Sequence, residues 1–162
     1  MSTVDTPAGP FTAIVADDGA VLASGWTASA DDLRPVISKS LRPTELRPRA
    51  DLGSVTRAIR DYHDGELSAI DDIPVRQASG EFIQHAWDVL RTVPPGKPTS
   101  YTDYAALAGR PDAIRAAASA CARNAAALFV PCHRILRNDG TLGGFRWGLP
   151  IKRWLLDHEV IG

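Results

Sequence analysis

The stretch TDYAALAGRPDAIRAAASACARNAAALFVPCHRI, residues 102–135, predicts two short helices, a tight turn between them and an apolar run that ends at a cysteine. We expect the second helix to begin at Pro111, because proline suits the first turn and Asp112 then lies at the positive end of the helix dipole. A helix, a short turn containing glycine and a second helix are typical of a helix-turn-helix. Most helix pairs bind nothing, so this pattern alone leaves DNA binding open.

One face of the second predicted helix carries small residues between two arginines. Three-and-four spacing places these side chains on it: Arg115, Ala118, Ser119, Ala122 and Arg123. A second, more apolar side contains Ile114, Ala117 and Cys121. Small side chains permit close approach to a nucleic-acid groove, where arginines contact phosphates or fill a gap in a base stack. A short alanine-rich packing helix explains the composition equally well.

Cys132 and His133 stand together after the apolar run, directly behind Pro131. A thiol is a poor nucleophile until it ionises, and cationic partners lower its pKa from about 8.5. His133 and Arg134 are candidate partners, but adjacent residues on a helix do not face each other. A bridging water is therefore a reasonable alternative to a direct hydrogen bond from His133. The competing interpretation is a buried cysteine that happens to precede a histidine.

A histidine that acts as a base needs an orienting group, usually a carboxylate. The last predicted helix, LPIKRWLLDHEVIG, offers Glu159 at the border of an apolar stripe. That stripe is predicted to contain Ile151, Trp154, Leu155 and His158. A carboxylate at a buried edge needs a partner, and His133 is the expected one. A partly exposed glutamate at a frayed helix end is the alternative.

The first half of the chain predicts a small α+β scaffold. FTAIVADD (11–18) and AVLASGWT (20–27) are typical of a hairpin around an Asp-Asp-Gly turn. LGSVTRAIRDYHDGEL (52–67) has the periodicity of an amphipathic helix, and IPVRQ (73–77) favours another short strand. The predicted fold class is therefore α+β.

A domain boundary is expected where the sequence changes character after residue 77. GEFIQHAWDVLRTV, residues 80–93, predicts a largely buried helix that includes Phe82 and Val89, and the following Pro-Pro-Gly stops it. The prediction is a scaffold domain over 1–77 and a second domain over 78–162 that carries the helix pair and Cys132.

The composition excludes several classes of protein. The 162 residues suffice for one compact domain or two small ones. No apolar run approaches the ~18 residues of a membrane helix, and the acidic, polar N-terminus does not match a signal peptide. We therefore expect a cytoplasmic protein without a membrane partner. Two cysteines argue against a disulfide scaffold, and their spacing matches no usual zinc site, so no metal is expected. A P-loop, GxGxxG or HExxH motif is also absent.

Charge is distributed unevenly along the chain. Residues 1–80 contain 8 basic and 12 acidic side chains, whereas residues 81–162 contain 10 and 7, within a net charge of −1. The second half is thus the better candidate to face a polyanion, although an imbalance of this size is weak evidence.

Taken together, VPCHRI (130–135), Asn124 eight positions before Cys132, and KRWLLDHE (152–159) resemble the O6-alkylguanine-DNA alkyltransferase family. The resemblance is strong from about residue 80 onward, where SACARN and ILRNDGTLGGFRWG are most similar to the repair half of bacterial Ada-type members. The first 80 residues match only in the coarse order of strands and helix. PCHR with Asn, Tyr, Arg and Glu at matching distances is a highly specific pattern.

The resemblance implies a fold and a reaction. The fold would be a small RNase H-like strand–helix domain followed by a winged helix-turn-helix domain that carries the cysteine. The protein would bind duplex DNA through the minor groove, flip an O6-alkylated guanine out of the stack and transfer the alkyl group to Cys132. The thioether is stable, so each molecule would act once. No cofactor or nucleotide is implied, and we expect a monomer in solution, with clustering on DNA left open.

The resemblance also implies residue roles. Cys132 would be the nucleophile, His133 would remove its proton through water, Glu159 would hold the imidazole, and Tyr101 would assist the departing base. Asn124 would brace the turn after the recognition helix, and Arg115 would fill the space left by the flipped base. The implied DNA-binding residues are Arg115, Ala116, Ser119, Ala122 and Arg123. The implied substrate pocket contains Val130, Ile135, Phe145, Arg146 and Trp147.

Several positions depart from the family pattern. Ala125 stands where a proline often follows the hinge asparagine, and Phe145 stands where a tyrosine is common. Arg146-Trp147 replaces the smaller Ser-Gly of some members and predicts a narrower pocket that prefers methyl over bulky adducts. Two other functions remain as alternatives. One is a non-catalytic alkylated-DNA-binding protein of the alkyltransferase-like type, and the other is a winged-helix regulator with an inert cysteine.

Overall fold

The structure, a computed structural model, describes residues 1–161, and its contacts divide the chain into two compact units. The first unit comprises 1–78 together with 125–129, and the second comprises 79–124 and 130–161. The chain therefore returns to the first unit for a short segment just before Cys132. The domains expected over 1–77 and 78–162 stay a prediction, because compactness does not show that either stretch folds alone.

A three-stranded antiparallel sheet forms one layer of the first unit. Its strands, in sheet order, are β1 (Ser2–Thr6), β2 (Gly9–Val15) and β3 (Val21–Gly25). The β2–β3 pairing confirms the predicted hairpin. Strand β1 was not expected, since its sequence STVDT is mostly polar, but alternation places Ser2 and Val4 in the interior and Thr3 and Asp5 in solvent.

Helix α1 (Ser54–His63) packs against β1 and supplies the other layer. Its buried side has the predicted helical spacing: Val55, Ile59 and Tyr62. Short 3₁₀ turns occupy Ala30–Asp32, Arg34–Val36 and Leu67–Ile70. The strand predicted over 73–77 is wrong, because only Val75 pairs, in a single parallel bridge with Val21.

Residues 125–129 complete this unit by pairing beside β3. The Ser24 amide donates to the Ala125 carbonyl at 2.9 Å, and the Ser24 hydroxyl donates to the Ala127 carbonyl at 2.8 Å. The Phe129 ring meets Phe11 edge-on, with centroids 6.4 Å apart. Leu128 adopts a left-handed φ of 78° although it is fully buried. This strained conformation is held by the packing around it.

The second unit is mainly helical. Its elements are α2 (Glu81–Leu90), β4 (Thr99–Ser100), α3 (Tyr101–Leu107), α4 (Ile114–Arg123), β5 (Ile135–Leu136) and α5 (Leu149–Ile161). Helices α2, α3 and α4 pack together. Two aromatic side chains also bond across them: the Trp87 indole donates to the Ala120 carbonyl, and the Tyr104 hydroxyl donates to the Ala86 carbonyl. Buried polar tips with partners fix the relative position of these helices.

One helix boundary and the burial of two side chains differ from the predictions. Helix α4 begins at Ile114, whereas Pro111 lies in the preceding turn, which the Ala113 amide closes by donating to the Arg110 carbonyl at 2.8 Å. Residues 111–113 therefore precede the helix. In α2 the predicted core residues Phe82 and Val89 are half-exposed.

Helix α5 has a different buried face from the predicted stripe. Ile151, Trp154 and His158 are half-exposed, and the Trp154 and His158 rings stack with centroids 4.5 Å apart. The buried residues are Lys152, Leu155, Leu156 and Glu159. The interior therefore accepts one lysine and one glutamate, each with polar partners, in place of the expected apolar side chains.

The described part of the chain, residues 1–161, contains no helix that is both long enough and apolar enough to cross a bilayer. The observed architecture is mixed α+β, with small strands and one helix first and a helical second half.

Candidate active site

Cys132 opens a single 3₁₀ turn, Cys132–Arg134, between Pro131 and β5. The Cys132 amide donates to the Val130 carbonyl at 2.8 Å, which bends the chain sharply at the cysteine. Strand β5 then pairs in parallel with β4, Ile135 opposite Thr99. Since the pair is parallel, Tyr101 follows the carboxyl end of β4, whereas the Cys132 turn precedes the amino end of β5. Tyr101 is nevertheless close enough to Cys132 for the sulfur to affect the pKa of its phenol.

A buried ion network lies behind the cysteine. The Nε2 atom of His133 is 2.7 Å from Oε2 of Glu159. Arg134 donates to both carboxylate oxygens, from Nε to Oε1 at 3.0 Å and from Nη2 to Oε2 at 2.9 Å, and from Nη1 to the Val93 carbonyl at 2.8 Å. All three ionisable side chains are almost fully enclosed. The predicted His133–Glu159 contact is therefore present, and Arg134 joins it.

This network fixes the tautomer of His133. A carboxylate only accepts hydrogen bonds, so Nε2 carries the proton and Nδ1 carries the free lone pair. Nδ1 is buried and makes no hydrogen bond to any atom of residues 1–161. Burial lowers the pKa of His133 below its ordinary 6.5, and this outweighs the opposing effect of Glu159. The imidazole is thus neutral at neutral pH and able to take up a proton at Nδ1.

Glu159 remains ionised although it is buried. Burial alone raises the pKa of its carboxyl group, but His133 and Arg134 act more strongly together and lower it to about 2. The carboxylate can therefore orient the imidazole and stabilise an imidazolium ion if one forms.

Asn124 connects the end of α4 to the cysteine. Its side-chain amide donates to the Val130 carbonyl at 2.8 Å, and the same side chain hydrogen-bonds to Cys132. Asn124 also ends helix α4 as its C-cap, in an extended conformation. The bracing position predicted for it is therefore where the side chain lies.

Cys132 is half-exposed as a residue, but its thiol is largely removed from solvent by the surrounding protein. This burial raises the pKa of the Cys132 thiol above 9.0, even though Asn124 and the charges of Lys152 and Arg146 lower it. At neutral pH the resting group is accordingly the thiol, so a base must remove its proton before the sulfur reacts.

Tyr101 lies at the first position of α3, whose amino end is capped twice. Ser100 accepts from the Asp103 amide at 3.1 Å, and the Asn138 side chain accepts from the Thr102 amide at 3.2 Å. Burial, reinforced by the nearby Cys121 and Cys132 sulfurs, raises the pKa of Tyr101 to about 12. The phenol therefore keeps its proton over the physiological range and is a hydrogen-bond donor.

Sequence reasoning missed Lys152, which lies fully buried beside this site. Its Nζ donates to the carbonyls of Ile135 at 2.9 Å, Leu142 at 2.5 Å and Gly144 at 3.4 Å. Lys152 thus joins α5 to β5 and to the loop that follows β5. Burial lowers its pKa, and its charge is one of those that favour ionisation of Cys132. The sequence offered a weak signal, a lysine one turn before Leu155 and Leu156.

The residues expected to contact DNA share an open face of α4. None of them is buried: Arg115, Ala116, Ser119, Ala122 and Arg123. The opposite side, Ala117 and Ala120, is fully enclosed. Ile114, which was predicted to lie on the apolar side, is instead 37% exposed next to Arg115.

The five expected pocket residues differ in exposure. Val130 and Ile135 are buried on either side of the Cys132 turn, and Phe145 and Trp147 are half-exposed. Arg146 is exposed, and its guanidinium bonds to the end of α4. Within residues 1–161, no group of three or more His, Cys, Asp or Glu side chains is arranged to hold a metal ion.

Comparison with known proteins gives consistent matches. A family model described as the DNA-binding domain of 6-O-methylguanine DNA methyltransferase matches residues 81–161. The chain is 32% identical to the methylated-DNA–protein-cysteine methyltransferase of Shigella flexneri, over 96% of this chain and 92% of that protein. It is 47% identical over 88 residues to the bifunctional transcriptional activator/DNA repair enzyme Ada of Escherichia coli K12, and that match covers 54% of this chain but 25% of Ada.

A solved structure is similar over nearly the whole length. The crystal structure of Mycobacterium tuberculosis OGT in complex with DNA superposes with a TM-score of 0.81 and 28% identity, covering 99% of this chain and 92% of the other. The likeness therefore includes the first half of the chain, where the sequence pattern alone provided only a coarse match.

Proposed function

The chain belongs to the methylated-DNA–protein-cysteine methyltransferase family, and from this membership we propose that it repairs DNA by moving an alkyl group from O6 of guanine to Cys132. The repair is a direct reversal, in which the damaged base is restored without excision. The observation that carries the proposal is the Cys132 turn backed by a buried Glu159 and a neutral His133 whose Nδ1 lone pair is free. The chain covers a quarter of Ada's length, so transcriptional activation is not part of the proposal.

The first step is removal of the thiol proton. Both groups are neutral at rest, because burial raises the pKa of Cys132 and lowers that of His133. The proton moves to Nδ1 of His133, and we propose that a water carries it, since neighbouring residues in one turn do not face each other. Glu159 then faces an imidazolium and stabilises it, which is the role of the third group in such a relay. A thiolate formed in this way remains close to Lys152 and Arg146, whose charges favour it.

The second step is alkyl transfer. The thiolate attacks the alkyl carbon in line with the carbon–O6 bond, so one sulfur–carbon bond forms as the carbon–oxygen bond breaks. The electron pair of the broken bond passes to guanine, which takes up one proton, while the thiol has lost one. The products are guanine and a stable thioether, and the protein is consumed. No cofactor is needed to balance this reaction, which is stoichiometric and self-inactivating.

We propose that Tyr101 assists the departing guanine. A phenol whose pKa is raised to about 12 does not protonate resting guanine, but it can donate a hydrogen bond to charge that develops in the transition state. Its position at the amino end of α3, fixed by Ser100 and Asn138, supports this role.

We propose that α3 and α4 act as the helix-turn-helix of a winged unit that enters the minor groove, whereas the first unit is an RNase H-like scaffold. The open face of α4, with small residues in its middle, supports close approach to the duplex. Arg115 would stack in the space that the flipped base leaves, and offset part of the few kcal/mol that flipping costs. The protein would act as a monomer that can cluster on DNA, in the cytoplasm.

The remaining expected residues form the proposed lesion pocket. Val130, Ile135 and Phe145 would provide apolar walls, and the bulk of Arg146 and Trp147 would favour methyl over benzyl adducts. Equal rates with O6-benzylguanine and with methylated DNA would contradict this preference.

Intact-protein mass spectrometry tests the proposed function. The protein is mixed with duplex DNA that contains O6-methylguanine, and we expect a gain of one methylene equivalent that Cys132→Ala abolishes. Lesion-specific binding without a change of mass would instead indicate the non-catalytic alkyltransferase-like type, which the presence of Cys132 disfavours. Absence of any preference for the lesion would indicate a winged-helix regulator.

A further inference from the structure

Arg146 makes contacts that a pocket wall does not need. Its Nη1 donates to the Asn124 carbonyl at 2.9 Å, and its Nη2 donates to the Ala122 carbonyl at 2.6 Å. The side chain starts in the loop after β5 and reaches the carboxyl end of α4. The planar guanidinium thus holds two carbonyls at once, which is the geometry that distinguishes arginine from lysine.

The carbonyl groups at the carboxyl end of α4 require hydrogen-bond donors, and the Arg146 guanidinium supplies them. The last carbonyls of a helix lack intrahelical donors and carry the negative end of its dipole. Many helices satisfy them with a glycine in a left-handed conformation, but α4 ends at Asn124 with φ −65° and ψ 114°, which leaves these groups to other donors. Arg146 supplies both hydrogen bonds and a compensating charge.

Asn124 transmits this contact toward the sulfur. Its carbonyl accepts from Arg146, while its side chain donates to the Val130 carbonyl and bonds to Cys132. One residue therefore separates the guanidinium from the thiol. The charge of Arg146 also favours the ionised form of Cys132, together with that of Lys152.

We propose that Arg146 is a positioning residue for alkyl transfer: it ties the loop after β5 to the carboxyl end of α4 and so holds Asn124 in the orientation that presents Cys132. The inference rests on the proposed function and adds to it a coupling between DNA binding by α4 and the position of Cys132. Arg146 joins the helix proposed to engage DNA to the loop proposed to line the lesion pocket, so docking of α4 and placement of the sulfur are linked through Asn124.

The test compares Arg146→Gln and Arg146→Lys with Arg153→Gln in the full chain. Arg153 is an exposed arginine on α5 whose ion pair to Asp157 is 3.9 Å long, so its replacement removes the same charge without touching the site. Thermal unfolding of each variant establishes that it is folded before kinetics are compared.

The first measurement needs no DNA. The rate at which iodoacetamide alkylates Cys132 is followed against pH, with the modified residue located by peptide mass spectrometry because Cys121 is also a free thiol. We expect Arg146→Gln to shift the profile to higher pH, Arg146→Lys to shift it less because the charge stays, and Arg153→Gln to leave it unchanged. A profile that moves equally in Arg146→Gln and Arg153→Gln, or in neither, would overturn the proposal.

The second measurement separates positioning from DNA contact. Single-turnover transfer from duplex O6-methylguanine is measured against protein concentration, and we expect Arg146→Gln to lower the maximal rate about tenfold, the effect of losing a hydrogen bond to a charged group. The concentration for half-maximal rate should change by less than about threefold, the modest effect of a peripheral charge. An increase in the half-maximal concentration with an unchanged maximal rate would mean that Arg146 contacts DNA and does not position Cys132. Failure of the unmodified protein to take up any methyl group would refute the proposed function, whereas the iodoacetamide profile would still decide the role of Arg146.

Discussion

Cys132 lies among groups that act on its ionisation in opposite directions. Burial disfavours the thiolate, while Asn124, Lys152 and Arg146 favour it, and burial prevails in the resting protein. A sulfur that stays protonated until a lesion is bound is protected from indiscriminate reaction with electrophiles and oxidants. In the proposed mechanism such a sulfur needs His133 as a base, and His133 in turn needs Glu159 to orient it.

Replacing Glu159 with glutamine tests this dependence. The variant leaves Arg134 without its carboxylate and removes the charge that stabilises an imidazolium on His133. We expect the transfer rate to fall about a hundredfold, within the range for loss of general base catalysis, and the free energy of unfolding to fall by about 3 kcal/mol, as for a broken buried ion pair. Quenched single-turnover assays and urea unfolding measure the two effects.

The matched control is Asp157→Asn, two residues earlier on the exposed face of α5. It removes the same charge from the same helix and should leave both quantities unchanged. Glu159→Gln with a rate within twofold of the unmodified protein would show that His133 does not depend on this carboxylate.

Acid should weaken the folded state through Glu159. The pKa of this carboxyl is about 2 in the folded protein against an ordinary value of 4.5. A lowered folded-state pKa contributes stability above pH 4.5 that is lost as the pH falls toward 2. The difference corresponds to roughly 3 kcal/mol. His133 acts in the same direction, because burial lowers its pKa and protonation below pH 6.5 opposes folding.

Urea unfolding at a series of pH values measures this dependence. The Glu159→Gln variant should lose the part of the slope between pH 4.5 and 2 and retain the contributions of the other carboxylates. An identical slope in the variant would assign the acid sensitivity elsewhere.

At the scale of elements, the site depends on short pieces held by specific bonds. Strands β4 and β5 have two residues each, yet their parallel pairing joins the segment that leads into Tyr101 to the segment that follows the Cys132 turn. The loop after β5 is fixed by Lys152 from α5 and by Arg146 at the end of α4. Such short elements contribute little stability of their own, so their geometry is determined by these side chains.

Gly143, in that loop, has a left-handed backbone conformation next to Tyr101. Its φ is 71°, and a Cβ at this position would lie 3.4 Å from Cγ of Arg137 and 3.8 Å from Cε2 of Tyr101. These are ordinary contacts, but a side chain at this φ strains the backbone. We expect Gly143→Ala to slow alkyl transfer about fivefold, because a shift of the strained loop misplaces groups at the reacting centre. The loss should be greater with a benzyl than with a methyl adduct.

Gly140→Ala is the control for backbone strain. Gly140 has a φ of 85°, and a Cβ added there would have nothing within 4 Å, so the two variants share the strain and differ in whether the new methyl group contacts Arg137 and Tyr101. Equal rates for the two variants would show that strain in the loop, and not its position beside Tyr101, determines the effect.

Elements with a clear apolar periodicity could be predicted from the sequence. The positions of buried polar side chains could mostly not be predicted. The β2–β3 hairpin and α1 follow from alternation and helical spacing. Lys152 could not be placed, because its burial depends on three carbonyls that other elements bring to it. The His133–Glu159 contact was predicted from chemistry, since a buried base requires an acceptor, whereas the role of Arg134 in the same network was not.

At the scale of the molecule, residues that are close in sequence do not all belong to the same compact unit. The segment 125–129 is flanked on both sides by residues of the second unit but bonds to Ser24 in the first. It also connects Asn124 to the Cys132 turn. The reactive cysteine therefore follows a segment that is ordered by residues from the beginning of the chain.

We expect a fragment of residues 79–162 to fold poorly. It would lack the Ser24 hydrogen bonds and the Phe11 contact, and would leave Leu128 and Phe129 without their packing. Hydrogen exchange at Ala125 and Ala127 should be fast in the fragment and slow in the full chain. Supplying residues 1–78 as a separate peptide should restore part of the protection, and native protection in the isolated fragment would contradict the expectation.

The return of 125–129 to the first sheet also constrains how such proteins can be recombined. A chimera that takes residues 1–78 from one relative and the rest from another separates 125–129 from their hydrogen-bond partners. Exchanging 125–129 together with 1–78 would keep these hydrogen bonds. In an engineered chimera, Ser24 and its partners Ala125 and Ala127 should therefore come from the same parent protein.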